Sequence, residues 1–98
     1  MGRPKKRRRL CFCPKCPYFE PQTSSSTSFE EIGLLAEEIE AIKLHDFDDL
    51  DQNEAAESME ISQSTFARIL ASAHKKLAEA ICSGKAIKII PGDTKTPD

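Results

Sequence analysis

The sequence predicts a mainly α-helical protein: a three-helix domain ending in a helix-turn-helix, with a short two-stranded antiparallel β element joining the N-terminal and C-terminal segments. Three observations carry this. Apolar residues recur at helical spacing through residues 34–84, and the last two helical stretches are separated by too few residues for anything but a turn. Near the C-terminus, AIKII is short, β-branched and stopped by Pro91-Gly92, as a strand is. A chain of 98 residues supports one compact module with appendages. The expected organisation is a basic arm and Cys-rich strand segment at 1–19, a linker at 20–33, the helix-turn-helix domain at 34–84, and a short strand and tail at 85–98.

Taken in order, the arm comes first, and the run PQTSSSTS then has the small, polar, aperiodic composition of a linker. Leu35, Ile39 and Ile42 follow at i, i+4 and i+7, with Glu37, Glu38, Glu40 and Lys43 on the other side, as an amphipathic helix requires. Gly33 costs about 1 kcal/mol inside a helix, which places the start near Leu34 or Leu35 and the end near Asp46 or Phe47. Asp49 or Asp51 can cap a second, short helix through Met59, and the small Ala55 and Ala56 let a neighbouring helix approach closely. After the turn at Glu60-Ile61, Ser62 can cap a third helix over residues 62–82, whose apolar set is Phe66, Ile69, Leu70, Ala73, Leu77 and Ile81; Gly84 then ends it. The strand Ala86–Ile90 needs a partner, and residues 8–13, where Leu10 and Phe12 alternate with other positions, are the expected one. That pairing would bring the basic arm beside the end of the third helix.

The formal net charge of −2 conceals a strong segregation. Residues 1–19 hold seven basic side chains and no acid, residues 20–60 hold thirteen acids against Lys43 alone, and between Ile61 and Ile90 five basic residues face only Glu79. Two basic zones thus bracket an acidic one, a distribution compatible with a polyanionic partner that the total would argue against. No apolar run reaches the ~18 residues of a membrane span, and the charged start lacks the apolar stretch of a signal peptide. A cytoplasmic protein without membrane contact is expected.

On the outward face of the third helix, Gln63, Ser64, Thr65, Arg68 and Ser72 are hydrogen-bonding side chains where a merely solvated helix more often shows Glu–Lys pairs. Such a face suits base edges and phosphates. The stretch EEIEAIKLHDFDDLDQNEAAESMEISQSTFARILASAHKKLAEAICSGKAIKI, with RPKKRRR and YFEP before it, resembles the small prokaryotic proteins of uncharacterised protein family 0251. The resemblance covers nearly the whole chain and is carried most by EAAESMEISQSTFARIL. It implies a helix-turn-helix similar to region four of the sigma factors, with double-stranded DNA as the partner; RNA polymerase or another protein, and a second copy of the chain, are further candidate partners. By that likeness Ser62 caps the recognition helix, and Gln63, Ser64, Thr65 and Arg68 face DNA. Two positions depart from the pattern: Glu60 stands where such turns often carry Gly, and His74 replaces an arginine common in the family.

Since the major groove is ~12 Å wide, only the first turns of so long a helix can read bases. Arg68 could donate bidentately to guanine and Gln63 could read adenine, while Ser72, Lys75 and Lys76 complete the candidate DNA-binding face. The arm adds Arg3, Lys5, Lys6, Arg7, Arg8 and Arg9. Gly2-Arg3-Pro4 resembles the core of a minor-groove hook, and a non-specific solvated charge run is the plainer alternative.

Cys11, Cys13 and Cys16 form a candidate zinc or iron–sulfur ligand set lacking a fourth member, which Cys82 could supply; His45 and His74 are weaker candidates. The resemblance itself supplies no metal. The leading reading is a sequence-specific DNA-binding regulator of transcription. A metal- or redox-responsive sensor using the thiols is the second, and an RNA-binding or protein-adaptor module the third. An enzyme is not expected, since the sequence offers neither a phosphate-binding glycine loop nor a nucleophile–base set.

Overall fold

The computed structural model describes residues 10, 14–22 and 29–90. The architecture is mainly helical with a small sheet, as the sequence predicts. Its strands are β1 (Tyr18–Phe19), β2 (Glu31–Leu35) and β3 (Ala86–Ile90), and its helices are α1 (Ala36–Ile42), α2 (Gln52–Met59) and α3 (Gln63–Ser83). A single π-helical turn, Lys43–Phe47, extends α1.

The sheet is where expectation and structure part. It has three strands in the order β1-β3-β2, with β1 antiparallel to β3 (Tyr18 opposite Lys88) and β2 parallel to it (Gly33 opposite Lys88). Strand Ala86–Ile90 forms as expected, but β1 and β2 take its two edges; of the expected partner, residues 8–13, only Leu10 lies among the described residues, and it is in no strand. The expected boundary between linker and helical domain, at residues 33 and 34, falls inside β2. Gly33 belongs there because Ile90 crosses it closely: a Cβ added at Gly33 would lie 2.5 Å from the Ile90 Cδ1.

Drawing Leu35 into β2 also shifts the phase of α1. Leu35 is exposed, and the buried positions are Glu38, Glu40 and Ala41, followed by Leu44 in the π turn, instead of the expected stripe of Leu35, Ile39 and Ile42. In the π turn the Asp48 N–H reaches back five residues to the Lys43 carbonyl at 2.8 Å. His45 then places Nδ1 2.9 Å from the Leu50 carbonyl, which requires Nδ1 to be the protonated nitrogen.

The helix-turn-helix follows from local capping. Asp51 accepts from the Glu54 N–H at 2.8 Å while the Glu54 carboxylate accepts from the Asp51 N–H at 3.0 Å, a reciprocal box that starts α2. Glu60 ends α2 in the left-handed region, at φ 59°. Its N–H bonds to the Glu57 carbonyl at 3.0 Å, and the Ile61 N–H to the Ala56 carbonyl at 3.1 Å. This is a Schellman termination, with Ile61 turned onto the core beside buried Ala56.

The core of this region joins Ala41 and Leu44 to Ala55, Ala56 and Met59 of α2, and to Phe66, Ile69 and Leu70 of α3. Leu10, Leu50 and Ile61 pack against it. A second set of buried residues, Leu34, Ala73, Ala80 and Ala86, lies along the later half of α3 and the sheet. Ile81, expected among the apolar packing set, is instead 77% exposed, because Ala80 takes the inward position at that level of the helix.

Candidate nucleic-acid interface

Helix α3 runs for 21 residues, capped by the Ser62 hydroxyl, which accepts from the Thr65 N–H at 3.1 Å. The same hydroxyl donates to Thr65 Oγ1 at 2.9 Å, so Thr65, half-buried, belongs partly to the cap. Gly84 closes the far end at φ 68°.

Inward, α3 presents Phe66, Ile69, Leu70 and Ala73. At about 100° per residue, Ser64, Arg68 and Lys75 project within about 40° of one another on the opposite side. All three are exposed, as are Gln63 and Ala71. From Ser64 to Lys75 the stripe extends about 16 Å, at about 1.5 Å per residue. Among the described residues, Arg68 and Lys75 make no ion pair. The other basic side chains of α3 are engaged: His74 Nε2 lies 2.7 Å from Asp46 and Lys76 Nζ 2.9 Å from Glu38. Lys85, just beyond the helix, holds Glu79 at 2.7 Å and Glu30 at 3.3 Å.

Two of the expected interface residues are engaged within the fold. Ser72 donates to Glu38 Oε2 at 2.7 Å, and Lys76 donates to Glu38 Oε1 and, at 3.2 Å, to the Gly33 carbonyl. Glu38 is only 3% exposed. Burial raises its pKa, but the hydrogen bonds from the Leu35 N–H, Ser72 and Lys76, with the Lys76 charge, outweigh it and leave the pKa below its ordinary value. Ser72 and Lys76 therefore tie α3 to α1 and β2. A small hydroxyl and a lysine one turn apart on a long helix are the only trace of this network in the sequence, and they read equally well as DNA contacts.

Arg3, Lys5, Lys6, Arg7, Arg8 and Arg9 lie outside the described residues, as do Cys11 and Cys13. The arm's root is nonetheless located. Leu10 packs against the helix-turn-helix core, away from the end of α3 where strand pairing was expected to bring it. Cys16 and Cys82 are free and exposed. Continuing the β1–β3 register puts Cys16 opposite Ile90, at one end of β3, whereas Cys82 precedes its Ala86 end. Five strand residues, at about 3.3 Å each, separate those ends, so the topology does not carry Cys82 toward Cys16 as expected. Among the described residues no group of three or more His, Cys, Asp or Glu side chains could hold a metal ion. No described helix is long and apolar enough to cross a membrane.

Comparison with known proteins gives a consistent result over nearly the full chain. A family model described as a protein of unknown function, DUF134, matches residues 1–97. A UPF0251 protein of Desulforudis audaxviator is 46% identical over 93 residues, covering 95% of this chain and 61% of its own length. A UPF0251 protein of Clostridium novyi is 48% identical over 96 residues, covering 98% and 65%, and one of Halothermothrix orenii is 42% identical over 95 residues, covering 97% and 70%. The chain thus spans under two thirds of the length of the first two of these relatives. No solved structure matches. On the family model and these relatives together, the chain belongs to the uncharacterised UPF0251 (DUF134) family.

Proposed function

We propose that the protein binds double-stranded DNA with sequence preference, as a regulator of transcription, seating the first turns of α3 in the major groove and its basic arm on the backbone or in the minor groove. The observation that carries this reading is the outward stripe of α3. Ser64, Arg68 and Lys75 share one exposed face, the two cations have no ion-pair partner among the described residues, and exposed Ala71 between them leaves room for close approach. A planar guanidinium early in such a helix is suited to a guanine edge, and a lysine about 10 Å further along to a phosphate. The exposed side of α2 carries Glu54 and Glu57, so attraction to a polyanion comes from α3 and the arm.

Selection of bound sites from random duplex DNA at a fixed salt concentration tests the reading. Enrichment of a defined motif is expected. Arg68→Ala should relax the preference at one or two positions and weaken binding to the selected site by about 1–3 kcal/mol. A selection that enriches nothing, with wild type and variant binding alike, would count against it.

A further inference from the structure

Two large apolar side chains stand exposed on one flank of the helix-turn-helix domain: Phe47 is 79% and Ile81 77% exposed. The π turn that carries Phe47 is held against α3 at two levels. The His45 ring lies 6.4 Å from that of Phe66, and the Asp46 carboxylate 2.7 Å from His74 Nε2. At about 100° per residue, His74, Ala78 and Ile81 project within about 60° of one another, and half-buried Leu77 borders them. This flank lies about 90° around α3 from the stripe of Ser64, Arg68 and Lys75. Between Phe47 and Ile81 its charged groups among the described residues are Asp46 and His74, which pair with each other within the chain.

We propose that this flank is where two copies of the chain pair, with their α3 helices antiparallel about a two-fold axis, so that Ile81 of each copy packs on Phe47 of the other. The flank itself places the axis. The π turn meets α3 between Phe66 and His74, and the midpoint between that level and Ile81 falls near Lys76. The two ends are apolar and exchange under the axis, as a contact between identical surfaces requires. Near the centre, exposed Ala78 is small enough to let two helices approach to about 8 Å. Phe47 and Ile81 expose roughly 300 Å² per copy, and with Leu77, Ala78 and His74 roughly 500 Å². Both copies together would bury roughly 1,000 Å², the lower limit of a specific interface, so the pairing is reversible at micromolar concentration and not obligate.

An axis parallel to the outward direction of the stripe leaves the stripes of both copies facing the same side. Their Ser64–Arg68 segments, each about 15 Å along α3 from the axis, then stand about 31 Å apart once the helix separation is included, close to the ~34 Å between half-sites one turn apart. The spacing rests on the DNA-binding reading above, whereas the pairing itself does not.

Sedimentation equilibrium of the full chain without DNA, from micromolar to near-millimolar concentration, tests the pairing. The mass should rise from that of one chain toward that of two. Phe47→Lys and Ile81→Glu, at exposed positions, should keep the wild-type melting temperature and each weaken pairing about tenfold. The two substitutions together place opposite charges in the contact between copies and should recover part of that loss. Phe19→Lys, 52% exposed on the sheet, should pair like the wild type. A wild type that stays monomeric, an Ile81→Glu chain that pairs normally, a double variant without recovery, or loss of pairing in Phe19→Lys would overturn the proposal. Duplex selection tests the spacing separately, with inverted repeats centred about one helical turn apart expected. Single sites bound by a paired chain would overturn the placement of the axis. A chain that pairs yet binds no duplex would overturn the DNA reading and leave the pairing standing.

Discussion

Lys75 lies on the exposed face of α3, whereas Glu38 meets α3 from α1 through Ser72 and Lys76, and the two are probed by different measurements. Lys75 is exposed and outside the core, so Lys75→Ala should change folding stability by no more than about 0.5 kcal/mol. If it touches a phosphate, the variant should bind all duplex sequences more weakly, with the slope of log affinity against log salt reduced by about 0.9. Binding isotherms at several salt concentrations read both quantities. Glu38, in contrast, is part of the fold. Its pKa is depressed in the folded state below the ordinary 4.5, so the stability it contributes is present above that value and is lost as pH falls through the folded pKa. Denaturant titrations from pH 7 to 3 should show this loss in the wild type and a flatter profile in Glu38→Gln, which is also less stable at neutral pH because Lys76 loses its partner. Superimposable profiles would remove Glu38 from the account.

At the level of elements, the ends of α3 offer a direct comparison of two glycines. Gly84 lies at φ 68° with nothing within 4 Å of an added Cβ, so Gly84→Ala should cost about 1–2 kcal/mol through backbone conformation alone. Gly33→Ala meets the tip of the Ile90 side chain, which can rotate away, and should cost less; thermal melts of the pair separate strain from crowding. The helix-turn-helix was legible in the sequence because its signals are local. Asp51 with Glu54, Ser62 with Thr65, and Gly84 each bond within a turn of the chain. Strand β2 was not legible, because nothing between Glu31 and Leu35 marks a strand until β3 arrives from more than fifty residues away in sequence. The same gap misled the reading of α1: Leu35, Ile39 and Ile42 keep helical spacing, yet Leu35 is in the strand and buried Glu38 is made tolerable by a lysine from α3. Glu60 shows a milder case, in which the turn takes the left-handed geometry expected of a glycine and the Schellman bonds hold it there. Of the candidate interface, Ser64, Arg68 and Lys75 could be read from helical phase alone, whereas the diversion of Ser72 and Lys76 required knowing where α1 lies.

For the whole molecule, segregation of charge matters more than its sum. Deleting residues 1–9 removes six cations and leaves Leu10 in its seat. The folded domain should keep its melting temperature while the salt dependence of binding falls by about 0.9 for each phosphate the arm had neutralised. An unchanged salt slope would show that the arm makes no phosphate contact. The core is likewise divided, with one cluster under the helix-turn-helix and another between the later half of α3 and the sheet, and α3 is the one element common to both. An unbroken helix of 21 residues is about 30 Å long at about 1.5 Å per residue. It behaves as a stiff lever whose fulcrum is the sheet: tilting it by about 5° there would sweep its N-terminal end through about 2.6 Å, several times the roughly 0.5 Å spread of hydrogen-bond lengths. Repacking Leu34 or Ala86, far from any surface that meets a ligand, is thereby expected to register as altered aim at the tip of α3 before it registers as unfolding.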